Sequence, residues 1–169
     1  MLCIPVVLVS ALTGCGDEES EDKKGTAMPT ATADLASFMT GTVTGIASFA
    51  QNGSDVYVEI TLNNCVDKLA YPVHIHAGNA CDDATTQGDH WGPARGEGIP
   101  NVPCTGTRGR VNHARPAAAA ETTWTVGGDP TTNVVGHVIV VHEAPPPPDS
   151  GIAPTDPPPR IACGVIVGR

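Results

Sequence analysis

Val134-Val135-Gly136-His137-Val138-Ile139-Val140-Val141-His142 is the stretch on which the fold turns. Six of these nine residues are Val or Ile. Such side chains are stiff at χ1 and suit a pleated, buried surface better than a helix. The stretch therefore predicts a central strand. Downstream, residues 143–159 carry eight prolines in seventeen positions, which reads as a long loop. Residues 161–167 (IACGVIV) follow as a second buried strand.

Upstream, residues 42–49 (TVTGIASF) and 55–62 (DVYVEITL) alternate as strands do, and Gln51-Asn52-Gly53-Ser54 between them is a hairpin signal. Residues 71–76 (YPVHIH) form a third candidate strand. Residues 108–113 and 122–126 are weaker ones. Residues 81–103 are rich in Gly and Pro, lack periodicity and read as a second long loop. No helix of useful length and no repeat is visible. Short strands with two long loops imply an all-β antiparallel sandwich or barrel.

The chain has 169 residues, enough for one domain with additions. Aromatic residues make up 4%, so the core must be built from Val, Ile, Ala and Leu. Nine Lys and Arg against eighteen Asp and Glu give a net charge of −9. That balance excludes a sequence-independent nucleic-acid binder and docking on an anionic membrane through a polybasic patch.

Residues 1–14 (MLCIPVVLVSALTG) are apolar and uncharged, too short to span a bilayer, and run directly into Cys15. Leu12-Thr13-Gly14-Cys15 resembles a bacterial lipobox, although no Lys or Arg precedes the apolar run. On this reading residues 1–14 are a lipoprotein signal and Cys15 is lipidated. Residues 15–34, with five acids between positions 17 and 22, are a disordered acidic tether. The globular domain is residues 35–169. The expected location is the bacterial cell envelope, periplasmic or outer surface, with Cys15 as the membrane anchor. Export places Cys65, Cys81, Cys104 and Cys163 in an oxidising compartment, where four cysteines suggest two disulfides. Three pairings are possible, and spacing does not choose among them. No pair has the C-x2-C spacing of a zinc site.

His74-Ile75-His76 puts two imidazoles on one face of a strand. His142 ends the strongest strand, and His90 lies in the first long loop within Gly88-Asp89-His90-Trp91-Gly92-Pro93. Several imidazoles with few carboxylates or thiolates suit copper well and zinc nearly as well. A blue-copper site is disfavoured, because Met1, Met28 and Met39 all fall near the tail. His137 lies five residues from His142 and faces the other way on a regular strand. His113 sits near a turn and reads as exposed.

Five segments, in order, resemble the copper/zinc superoxide dismutases. Residues 41–46 (GTVTGI) resemble the family's early strand. Val73-His74-Ile75-His76 resembles its HVH copper motif, and residues 88–93 resemble the segment that carries its bridging histidine. Val140-Val141-His142-Glu143 resembles its VVHE, and residues 160–166 (RIACGVI) resemble its ending almost letter for letter. The resemblance implies an eight-stranded Greek-key β-barrel over about residues 40–169. It implies copper held by His74, His76, His90 and His142, with His90 also acting in catalysis. It makes Arg160 the arginine that guides and holds superoxide. It pairs Cys81 with Cys163, which leaves Cys65 with Cys104. The activity implied is conversion of superoxide to O2 and H2O2 by copper cycling.

The chain departs from the family in two places. Residues 91–110 contain no His and no Asp, and Glu97 is their only carboxylate, so zinc is not expected. A residual second metal would have to use Glu97 and His113. Where the family has an aspartate after VVHE, this chain has Ala144 and four prolines. Both departures resemble copper-only members of the superfamily. The loop before Arg160 offers Asp149 and Asp156 and no lysine, which keeps open a non-catalytic copper-binding domain on the same fold. Oligomeric state is not written in the sequence.

Overall fold

The computed structural model describes residues 28–91, 99–115 and 123–169. The expected signal, Cys15 and the tether as far as residue 27 lie outside them, as does Glu97. Ten strands appear among the described residues. They are β1 (Thr30–Ser37), β2 (Thr44–Asn52), β3 (Asp55–Asn63), β4 (Ala70–Tyr71), β5 (Val73–His76), β6 (Val102–Thr105), β7 (Arg108–Arg115), β8 (Val138–His142), β9 (Arg160–Val165) and β10 (Val167–Gly168). One short helix, α1 (Ala84–Gln87), lies in the first long loop.

The strands pair antiparallel in the order β4-β6-β7-β3-β2-β1-β9-β8-β5, with β10 also on β1. The path starts on β4 and ends on β5, and only Pro72 separates those two in the chain. The sheet therefore comes round on itself as a barrel, which protects its edges. Proline cannot donate to a ladder, which is why one strand is cut into β4 and β5. Buried Ile166 likewise divides β9 from β10. Counted as continuous strands, these make eight. From β3 the chain passes over β7 and β6 to reach β4, a Greek-key crossing.

The barrel interior follows the period-2 rule. Ala31, Ala33 and Leu35 of β1 point inward, as do Ala47 and Phe49 of β2, Val56, Val58, Ile60 and Leu62 of β3, and Val73 and Ile75 of β5. Each buried Val, Ile, Leu or Phe contributes roughly 1.5–3 kcal/mol. Trp124 is fully buried and meets Phe49 edge-on, with ring centroids 6.3 Å apart. Cys65–Cys104 ties the connection after β3 to β6, with Cα atoms 6.2 Å apart. Cys81–Cys163 ties the first long loop to β9, with Cα atoms 5.8 Å apart.

Several boundaries differ from the sequence expectation. Residues 30–34, assigned to the tether, are the first half of β1, so the folded domain starts earlier than residue 35. They are held because β2 and β10 pair with them from both sides. The loop expected to run to residue 103 ends before β6. Thr125, expected in a strand, makes only a single bridge to Asn133 beside a turn at Gly127 and Gly128. The strand expected from Val134 begins at Val138, because Gly136 has φ +92° and the His137 N–H turns back to the Val134 carbonyl.

Candidate metal centre

β5 alternates Val73 and Ile75 into the core with His74 and His76 on the other face, where β8 runs alongside in register. His142 ends β8. A register irregularity falls between Val141 and His142, and the His142 N–H bonds the Pro72 carbonyl at 2.9 Å. The first long loop folds back along the free side of β5. Ala77 N–H donates to Asp89 O at 2.8 Å, Trp91 N–H to Ile75 O at 2.8 Å, and Gly78 N–H to Gln87 O at 2.9 Å. This stitching forms a bridge between His76 and His90 and lays the His90 ring over the pair on β5. A Cβ at Gly78 would collide with the Thr86 carbonyl oxygen, so only glycine allows the loop to lie this close.

The result is a cluster of four imidazoles. One ring nitrogen from each of His74, His76, His90 and His142 lies within 4.8 Å of the others. Ring centroids are 4.2 Å apart for His74 and His90, 4.8 Å for His76 and His90, and 5.1 Å for His74 and His142. His76 and His142 are buried, while His74 and His90 are half-buried.

Two main-chain carbonyls set the ring orientations. His76 Nδ1 donates to Gly88 O at 2.9 Å, and His142 Nδ1 donates to Pro158 O at 3.1 Å. A carbonyl only accepts, so in each neutral ring the proton sits on Nδ1 and the Nε2 lone pair faces the other ring. The two Nε2 atoms are 3.2 Å apart. Two lone pairs pressed together in a buried place repel unless a cation lies between or beside them. The donor set therefore fits a metal ion that prefers imidazole, as copper and zinc do.

Protonation is held off at both rings. Burial lowers the His76 pKa to about 3, assisted by the positive charge of Arg160 and by His142 and His90, against the bond to Gly88. Burial also lowers that of His142, again against its carbonyl bond and with help from His90 and Arg160. Both rings are thus ready ligands at neutral pH. A stability consequence follows for the metal-free protein. Between about pH 6.5 and pH 3 the unfolded chain holds a proton on His76 that the folded chain does not. Stability from this group is complete above about 6.5 and is lost as the pH falls through that window. The Tm of metal-free protein is expected to fall across the window more steeply than that of His76→Gln. Parallel Tm profiles would show that neutral burial of His76 is not the cause.

Arg160 opens β9 opposite His142 in the ladder and reaches across to the loop. Its Nη1 donates to Ala84 O at 2.9 Å and to Gln87 Oε1 at 3.2 Å, and its Nη2 donates to Gly88 O at 2.8 Å. The Gly88 carbonyl thus serves both Arg160 and His76. Gly88 has φ +70° and ψ −170°, a region that essentially only glycine enters, and this conformation aims the carbonyl at both. A pocket opens between His76, Asp89, His90 and His142 on one side and Pro157, Pro158 and Arg160 on the other, with Arg160 the only Lys or Arg among its described lining residues.

A family model described as copper/zinc superoxide dismutase (SODC) matches residues 43–166. The chain belongs to that family. No curated protein matches it. The dismutase barrel is the fold expected from the sequence, and the structure brings all four expected histidines together with Arg160. It pairs Cys81 with Cys163 and Cys65 with Cys104. His113 belongs to β7, whose neighbours are β3 and β6 and not the strands bearing the cluster. Its side chain and Glu97 lie outside the described residues. The His137 ring packs on Trp91, with centroids 4.3 Å apart, and is not in the cluster. Sequence reading missed Gln87, α1 and the Pro158 carbonyl. The one available signal was Gly88, immediately before the Asp89-His90 pair.

Proposed function

We propose that this chain is a copper-dependent superoxide dismutase that works without a zinc partner. The single observation carrying the proposal is the four-imidazole cluster, three of whose rings line one pocket with Arg160. His74, His76, His90 and His142 would hold the ion. When bound, copper supplies a reversible one-electron exchange, by which two superoxide anions and two protons become O2 and H2O2.

The chain's own residues do the rest. Arg160 binds and orients the anion, since a guanidinium stays charged at any working pH and presents a planar set of donors. The carbonyl bonds to Nδ1 of His76 and His142 keep those rings from turning, so the ligand set keeps its shape through the cycle. His90 lines the pocket and is half-buried, and it is the imidazole assigned here to proton exchange with water during turnover.

The lipobox-like Leu12–Cys15 segment supports attachment to a cell envelope through Cys15. There the enzyme meets superoxide generated outside the cell, an anion that crosses membranes poorly. The acidic balance and the lysine-free loop before Arg160 favour a second reading, a domain that holds copper without turnover.

The deciding experiment is the dismutation rate of copper-loaded protein in zinc-free buffer. A value approaching the diffusional ceiling of about 10⁸–10⁹ M⁻¹s⁻¹, which superoxide dismutases as a class reach, establishes the enzyme. A rate no better than that of free copper, from protein holding one copper, establishes the binding domain instead.

A further inference from the structure

We infer that Gln87 is a positioning residue for Arg160: it holds the guanidinium in place without cancelling its charge. The inference rests on the reading of Arg160 as the group that binds the anion. Gln87 is the last residue of α1 and is fully buried. Its Oε1 accepts from Arg160 Nη1, and because a guanidinium has only donors, the amide must turn its oxygen that way. The other end of the amide is left over. Nε2 is buried and has no hydrogen-bond partner. A buried polar group with half its capacity unmet costs free energy that a methionine or leucine of similar size would not. The contact with Arg160 is what this position gains in return.

The charge of the acceptor matters as much as its presence. Among the described residues, the three acceptors of Arg160, the Ala84 and Gly88 carbonyls and the Gln87 amide, are uncharged. A carboxylate at position 87 would make a buried ion pair and compete with any anion for the same donors. Of the nearby acids, Asp89 is exposed and lines the pocket but is not among the acceptors of Arg160. Asp83 caps α1, its Oδ1 accepting from Thr86 N–H at 2.8 Å, and Asp82 is exposed. Neutral acceptors fix where the guanidinium sits and leave its positive charge facing the pocket.

Two variants separate these contributions. Gln87→Met keeps the volume and removes the acceptor. Gln87→Glu keeps the acceptor and adds charge. The first readout uses metal-free protein: ¹⁵N NMR of the Arg160 guanidinium, assigned through Arg160→Lys. In the wild type, rotation about the Nη bonds is hindered. In Gln87→Met it is faster, and the Nη signals average. The second readout is azide affinity of the copper-loaded protein by optical titration. Gln87→Met is expected to weaken azide by about tenfold, the loss that accompanies one hydrogen bond to a charged group. Gln87→Glu is expected to weaken it further, with hindered Arg160 rotation retained.

Unchanged Arg160 rotation in Gln87→Met overturns the inference, as does equal azide affinity in Gln87→Glu and wild type. If Gln87→Met does not fold, the Gln87→Glu comparison still decides. Loosening of Arg160 in Gln87→Met, in a protein whose wild type shows no dismutation, upholds the positioning role and removes the enzyme reading.

Discussion

Arg160→Ala is expected to leave copper bound and to lower the dismutation rate constant by between tenfold and a hundredfold. The protein carries a net charge of −9, and the substrate proposed for it is an anion. A negative surface repels superoxide unless the pocket itself is locally positive. Electrostatic steering changes association rates by about 10–10³-fold. Among the described residues, Arg160 is the one Lys or Arg in the pocket lining, so most of that factor is expected to rest on it. Copper affinity should change little, because the four imidazoles are untouched. Its direction is upward if it moves at all, since the arginine's charge disfavours a cation beside it. Copper per protein and the rate constant across ionic strength test both parts. In the wild type the rate should fall as salt rises, and in Arg160→Ala this dependence should flatten. Arg160→Lys should be intermediate: the charge remains, but the planar fork that meets Ala84, Gln87 and Gly88 is gone. An unchanged rate in Arg160→Ala would remove Arg160 from the mechanism.

Removal of the Cys81–Cys163 disulfide is the second large effect. The bridge closes 82 residues of chain. A crosslink of that span stabilises a folded domain by roughly 4 kcal/mol, and losing native bridges costs about 2–5 kcal/mol. For a domain of this size that is a fall in Tm on the order of 10 °C. The function should suffer as well. Cys163 lies on β9 three residues from Arg160, and Cys81 begins the loop that supplies Ala84, Gln87, Gly88 and His90. The loop is therefore fastened to β9 covalently at one point and by hydrogen bonds at another. Without the covalent point it can swing, and copper affinity and rate should both fall in a Cys81→Ser/Cys163→Ala variant. The other bridge is the control. Cys65–Cys104 spans 39 residues and joins the connection after β3 to β6, neither of which bears a ligand. Its removal should lower Tm by a similar amount and leave copper affinity unchanged. If both variants lose copper equally, the first bridge has no special relation to the site.

The parts of the fold legible in the sequence are those with large β-branched residues in a strict pattern. β8 and β3 are of that kind. β1 was not legible, because TATADLAS buries only Ala31, Ala33 and Leu35. Its small inward residues carry the right period but little hydrophobicity, and pairing with β2, β9 and β10 makes it a strand. β6 was hidden by Pro103, which sequence reading takes as a loop signal. The four histidines and Arg160 were legible because their chemistry is confined to few residue types and to local motifs. Gln87 was not. A glutamine beside a glycine in a polar loop has no pattern of its own, and its burial is created only when the loop folds back onto β5.

The shared carbonyl of Gly88 has a consequence for how the site can be altered. His76 and Arg160 are measured off one atom, by bonds of 2.9 Å and 2.8 Å. One ring and one guanidinium, carried by different strands, thus share a single reference point in the loop. A change that displaces this carbonyl is felt at both at once, so the ring and the guanidinium cannot be re-aimed independently by substitutions around Gly88.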